Sequence, residues 1–224
     1  MPEHLLITIA VIGGTGPEGT GLALRWARAG YRVIIGSRSA EKAATHAQSL
    51  VDRLGGHGVL SGMANLDAAR TGDLVVLTVP FEAHRAMLEE LRPALAGKVL
   101  VDVTVPLVPP RVTVVQMPPA GSAGAEAQAA LGAGVSVVSA FQNVSKDHLA
   151  DEEEPIDCDV LVCGNNPAAR DQVLKLAEAA GMRGWDAGSI ENAAVAEGLT
   201  SILIGINKQY KVRGAGIRIV GVPR

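Results

Sequence analysis

The apolar run Ile9-Ala10-Val11-Ile12 passes directly into Gly13-Gly14-Thr15-Gly16-Pro17-Glu18-Gly19 and then into a helix-patterned stretch from Thr20 to Ala29, and this leaves few folds open. A strand that is apolar on both faces has to be covered on both, as in a parallel sheet with helices on either side. Gly14, Gly16 and Gly19 fill the three positions of G-x-G-x-x-G. One allows a tight turn, one lets backbone approach a pyrophosphate, and one lets the helix pack on the strand. The helix start then presents free N–H groups and the positive end of its dipole to phosphate. With Thr15, Pro17 and Glu18 in the same turn, this segment is the expected phosphate site of a dinucleotide. In a chain with 26 glycines a single such turn also fits an ordinary strand-to-helix junction, so the second strand matters.

That strand, Tyr31-Arg32-Val33-Ile34-Ile35-Gly36, ends in Ser37 and Arg38. Its end lies about twenty positions beyond the glycine turn, where a carboxylate would accept from the ribose 2′-OH of NAD. Ser37, Arg38 and, one turn into the next helix, Lys42 stand there instead. A hydroxyl, a guanidinium fork and an ammonium suit a 2′-phosphate, so NADP(H) is the expected dinucleotide.

Strand and helix patterns alternate along the whole chain. Strands are predicted at Leu5–Ile12, Tyr31–Gly36, His57–Ser61, Asp73–Val79, Lys98–Val103, Val135–Ala140, Asp159–Cys163 and Met182–Asp186. Helices are predicted at Thr20–Ala29, Ala40–Leu54, Asn65–Thr71, Glu82–Leu91, Ala123–Leu131, Pro167–Ala180 and Ile190–Asn207. The expectation is an α/β fold of the Rossmann type, a doubly wound and mostly parallel sheet with a small helical extension at the carboxyl end. Residues 1–145 are assigned to dinucleotide binding and 146–224 to a smaller carboxyl-terminal part with a dimer contact, whose share in a second ligand's site rests on the family resemblance given below.

A net charge of −3 and 3% aromatic residues argue against nucleic acid or an anionic membrane as partner. No apolar run has membrane-spanning length, and Glu3 stands where a secretory leader would be basic, so a cytoplasmic setting is expected. Cys158 and Cys163 are five residues apart on one predicted strand and point to opposite faces, which excludes a shared disulfide or metal. The five histidines show no ligand spacing, and no metal site is expected.

In open sheets ligands bind beyond the carboxyl ends of the strands. Three such ends draw attention. Val79-Pro80-Phe81 follows the fourth strand, with extended backbone imposed before Pro80. The proline-rich segment from Val103 to Gly121 follows the fifth and is placed either to cap the site or to lie on the surface. Ala140 and then Gln142, Asn143 and Val144 follow the sixth; the two side-chain amides and the Val144 N–H are candidate donors to developing negative charge. None of them is an acid or base near neutral pH. After Glu197 the chain carries Lys208, Lys211, Arg213, Arg218 and Arg224 without an acidic residue, a basic end suited to a polyanionic ligand or simply to solvent. Ile202, Leu203, Ile204 and Ile206 make the last helix apolar enough to meet the sheet or a second subunit.

On Gly13-Gly14-Thr15-Gly16, Gly36-Ser37-Arg38 with Lys42, Leu77-Thr78-Val79-Pro80, Val137-Val138-Ser139-Ala140, Val162-Cys163-Gly164, Asp186-Ala187-Gly188 and Glu197-Gly198-Leu199-Thr200, the chain resembles the NADPH-dependent coenzyme F420 reductases over nearly its full length. The resemblance implies hydride exchange between NADP(H) and the deazaflavin F420 as co-substrate, with Thr15, Gly16, Ser37, Arg38 and Lys42 as NADP contacts; the apolar last helix makes a homodimer the expected assembly. The chain departs from archaeal members at Gln142, where those carry His. Ring-to-ring transfer needs stacking and exclusion of water and no general base. Two alternatives remain: a reductase of another flavin or small acceptor, and a non-catalytic NADP sensor with an exposed apolar docking patch.

Overall fold

The computed structural model describes residues 7–150 and 156–222. Leu5, Leu6 and Arg224, placed by sequence in the first strand and the basic end, lie outside the described residues. Strand β1 (Thr8–Ile12) is buried along its length; alternation sends Ile9 and Val11 into one apolar core and Ala10 and Ile12 into another. It lies between β2 (Arg32–Ser37) and β4 (Leu74–Leu77) in one sheet of order β3-β2-β1-β4-β5-β6-β7-β8. The remaining strands are β3 (Val59–Ala64), β5 (Val99–Asp102), β6 (Ser136–Ser139), β7 (Asp159–Gly164) and β8 (Arg183–Asp186). Neighbours run parallel except β6 and β7, which pair Val138 with Gly164 and Ser139 with Cys163. Strand β7 enters from the carboxyl edge of β6, where Asn143 Nδ2 donates to the Asp159 carbonyl at 2.8 Å. The mostly parallel, doubly wound architecture expected from sequence is therefore present, with one reversal.

Helices α1 (Pro17–Arg28), α2 (Ala40–Arg53) and α7 (Pro167–Ala179) cover one face; α3 (Asn65–Thr71), α4 (Phe81–Leu95) and α5 (Ala123–Leu131) cover the other. The first helix begins at Pro17, three residues before its predicted start, because Gly16 takes the extended cap conformation and proline pre-sets the first helical φ. Helix α6 (Lys146–Ala150) is one turn long and too short to show a helical period in sequence. A 3-10 turn, Ile190–Asn192, leads into α8 (Ala193–Tyr210), which extends three residues beyond the predicted Asn207. Buried Glu197 of α8 accepts from the N–H groups of Ala123 and Gly124 at the start of α5, at 2.6 and 3.0 Å. Beyond α8 the chain returns as a strap over α6: Ser145 Oγ and His148 Nε2 donate to the carbonyls of Arg213 and Gly214, and Ala215 N–H donates to Asn207 Oδ1. It ends beside β7, where Asp159 N–H donates to Ile217 O and Ile219 N–H to Asp159 Oδ2.

Candidate active site

The chain moves outward from β1 to β3 on one side and from β4 to β6 on the other, so a crevice opens where the two directions part. A cleft of about 920 Å³ lies there, walled by residues that follow β1, β2, β4, β5 and β6. Gly13 makes its turn with φ +73°; a Cβ there would stand 2.9 Å from Val79 Cγ1. The left-handed residue is thus one position ahead of the three-glycine pattern. Gly14 and Gly19 lie buried beneath the turn, where added Cβ atoms would come within 2.7 Å of Val11 O and 2.6 Å of Thr78 Oγ1. Thr15, Gly16, Pro17 and Glu18 reach the wall. No side chain caps α1, so its first N–H groups are open to an anion at the positive end of the dipole.

Glu18 is an unusual neighbour for phosphate. Burial pushes its carboxyl up from 4.5 to about 8, against a smaller opposing pull from Lys146, and its Oε1 has no partner. Near neutral pH it is mostly protonated and adds no repelling charge. A folded pKa above the unfolded one means that folded protein holds a proton the unfolded chain releases, so stability falls as pH rises from about 4.5 to 8. Glu18→Gln is expected to remove this slope, which is worth about 1.4 kcal/mol per pH unit at most. Its melting temperature should match wild type near pH 5 and exceed it at pH 8; parallel profiles would show that Glu18 titrates normally.

At the other end of the turn, Ser37 and Arg38 both line the cleft. Ser39 caps α2 by accepting from Lys42 N–H at 3.3 Å, and the Lys42 side chain is exposed and off the wall. Along β4, β5 and β6 the wall continues through Val79, Pro80 and Phe81, then Thr104, then Gln142, Asn143 and Val144. Ala140 is fully buried behind them.

The donors expected from this last group are already committed. Gln142 Nε2 donates to Asp102 O and Ser139 Oγ, both at 2.7 Å. Asn143 Nδ2 donates to Asp159 O at 2.8 Å and Cys158 Sγ at 3.3 Å, and Val144 N–H donates to Phe141 O at 3.0 Å. Sequence shows residue type and strand end but not which atom of an amide faces the ligand. The reason for this orientation starts at Phe141, which takes φ +74° and turns its buried ring edge-on to Trp26 at 5.9 Å. That packing offsets the strain of a left-handed non-glycine residue and swings the following amides toward β5 and β7.

Whole-chain relatives decide the family. The chain is 41% identical over 221 residues to the F420-dependent NADP reductase of Methanocaldococcus jannaschii, covering 96% of this chain and 98% of that protein. It is 40% identical to the F420-dependent NADP reductase of Methanothermobacter thermautotrophicus, covering all of this chain and 99% of that one. The chain belongs to the F420-dependent NADP oxidoreductases. A family model described as "NADP oxidoreductase coenzyme F420-dependent" matches residues 8–106, from β1 through the end of β5. A crystal structure of a candidate F420-dependent NADP-reductase from Arthrobacter sp. FB24 superposes with a TM-score of 0.78 at 27% identity, covering 96% of this chain and 99% of that one.

As a member of this family the chain adds wall residues that the strand-end reading missed. Thr200, Leu203, Ile204 and Asn207 of α8, Lys146 of α6 and Arg213 of the strap all border the cleft. Of the basic end, Arg213 reaches it; Arg218 pairs with Asp157 at 3.1 Å, and Lys208 and Lys211 are exposed away from it. The proline-rich segment divides its roles: Val103, Thr104, Val105 and Leu107 line the cleft, while Val115 packs against α8 at Gly198, 3.2 Å from where a Cβ would stand. Thr104 was within reach of the strand-end rule, whereas Lys146 sits on a one-turn helix with no sequence signal. Behind Phe81, His84 stacks at 6.0 Å and its Nε2 meets Asp102 Oδ2 at 2.7 Å, both side chains shut off from water. Among the described residues no group of three metal-ligating side chains occurs. Cys158 and Cys163 are free and buried, one in each core, so they do point to opposite faces.

Proposed function

We propose that this chain transfers a hydride between NADP(H) and the deazaflavin coenzyme F420, the activity named for its full-length relatives. The observation that carries the reading is the continuity of one cleft from the uncapped α1 start and Arg38 to α8 and the strap residue Arg213. Such a cleft has room for a dinucleotide at one end and a second anionic ligand at the other. The glycine turn fits a pyrophosphate because side chains there would strike Val11, Thr78 and Val79. Nicotinamide and deazaflavin supply the redox chemistry between themselves. The protein holds the two rings in register, shields them with Val79, Phe81, Leu203 and Ile204, and offers Lys146 and Arg213 to negative charge. Protein with NADPH and F420 should bleach the deazaflavin absorbance rapidly, with NADH or FMN as replacements far slower. Tight NADPH binding without bleaching would favour the sensor instead.

The outer face of α8 exposes Val195, Ile202, Ile206 and Tyr210 along one stripe, and we assign it to a second copy of the chain. No described helix is long and apolar enough to cross a membrane. Two buried free thiols agree with a cytoplasmic setting.

A further inference from the structure

Besides Glu18 Oε1 at the phosphate end, three polar atoms on residues of the cleft wall have no partner in the protein, all at the β5–β6 end: Gln142 Oε1, Asn143 Oδ1 and Thr104 Oγ1. Their residues are 4%, 3% and 2% exposed. Buried polar atoms are normally paired, and three orphans on one stretch of wall call for an explanation. The amide orientations are not free choices. Asp102 O and Asp159 O are carbonyl oxygens and can only accept, so the NH₂ groups of Gln142 and Asn143 must face them. The second Gln142 hydrogen goes to Ser139 Oγ, whose own hydrogen points to Glu197 Oε1 at 3.3 Å. Each amide is therefore left with its oxygen, an acceptor.

Thr104 follows β5 and the two amides follow β6, the neighbouring strand. This is the side of the cleft away from Ser37 and Arg38. With the adenosine ribose beyond β2 and the pyrophosphate at α1, a dinucleotide directs its nicotinamide across β4 toward β5 and β6. A primary carboxamide carries one oxygen acceptor and two N–H donors. One hydroxyl and two amide oxygens complement that pattern. The pyrimidine edge of a deazaflavin, one imide N–H between two carbonyl oxygens, asks for the reverse.

We propose that Gln142 and Asn143, through their side-chain oxygens, together with the Thr104 hydroxyl, recognise the carboxamide of the nicotinamide ring and so set its orientation for transfer. The inference rests on the NADP reading above and gives the two amides a polarity opposite to the one their sequence position suggests. Holding the carboxamide fixes the rotation of the ring and hence which face of C4 meets the acceptor.

The test compares dissociation constants for NADP⁺ and for 3-acetylpyridine adenine dinucleotide phosphate, in which methyl replaces the NH₂. Wild type is expected to bind the analogue roughly 10- to 100-fold more weakly, because buried oxygens lose their donors. Gln142→Met should lose about tenfold for NADP⁺ and no more than about twofold for the analogue. Thr104→Val should weaken both ligands alike, since both keep the carbonyl oxygen. Equal affinities in wild type overturn the proposal without any variant having to fold. So does a Gln142→Met protein that weakens both ligands equally, or one that weakens F420 while leaving NADP⁺ unchanged, which would give the oxygen to the deazaflavin. Discrimination against the analogue without hydride transfer to F420 would remove the proposed reaction and keep the carboxamide site; transfer without discrimination would do the opposite.

Discussion

Arg38→Ala is expected to weaken NADPH binding by roughly 10- to 100-fold and to leave NADH within about twofold, because a charged group loses its hydrogen-bonded counter-ion only in the first case. Arg38 stands at the end of β2 on the cleft wall and is itself exposed. Its contribution is therefore screened by salt and should be larger at low ionic strength. Fluorescence titration of both nucleotides at two salt concentrations reads the effect. Equal losses for NADPH and NADH would take Arg38 away from the 2′-phosphate and return that role to Ser37 or to solvent.

Asp102→Ala is expected to cost roughly 3–5 kcal/mol of folding stability, the usual price of leaving one member of a buried ion pair alone. Asp102 Oδ2 meets His84 Nε2 at 2.7 Å while Oδ1 accepts from Thr104 N–H at 3.0 Å. Burial alone would lower the His84 pKa, but the hydrogen bond and charge of Asp102 carry it above its ordinary 6.5. A histidine whose folded pKa is raised stabilises fully below the unfolded value and loses that contribution as pH rises through the folded one. The difference between wild type and variant, from denaturant midpoints, should thus be greater at pH 6 than at pH 9. A difference that does not change with pH would mean that the pair is held by shape and hydrogen bonding, with no charge on His84. Because Thr104 borders the cleft, nucleotide binding should weaken along with stability.

The doubly wound fold was legible because its strands are short apolar runs and its turns are glycine-marked, as at Ile9 to Gly19. Asn65–Thr71 and Ala123–Leu131 were read to the residue, since each ends at a glycine that stops the helix. The reversal of β7 was not legible, for period and composition carry strand identity but not strand direction. In the site, residues on the wall at strand ends were found by position: Thr15, Ser37, Arg38, Pro80 and Gln142. The polarity of Gln142 and Asn143 depends on carbonyls 40 and 16 residues distant and has no local signature.

Apart from the Arg218–Asp157 ion pair, the strap beyond α8 is gripped by its backbone: the carbonyls of Arg213, Gly214 and Ile217 and the N–H groups of Ala215 and Ile219 make its bonds. The gripping side chains of Ser145, His148, Asp159 and Asn207 belong to the body of the fold. Gly214 and Gly216 are fixed by contact, since a Cβ would meet the His148 ring or stand 2.7 Å from Cys158 Sγ. Arg213 has neither obligation. Its side chain can be exchanged without loosening the strap, so under the proposed assignment of Arg213 to the second ligand's charge, selection has a position at which that preference can drift while the architecture stays constant. Variation among related enzymes should accordingly gather at 213 and spare 145, 148, 207, 214 and 216.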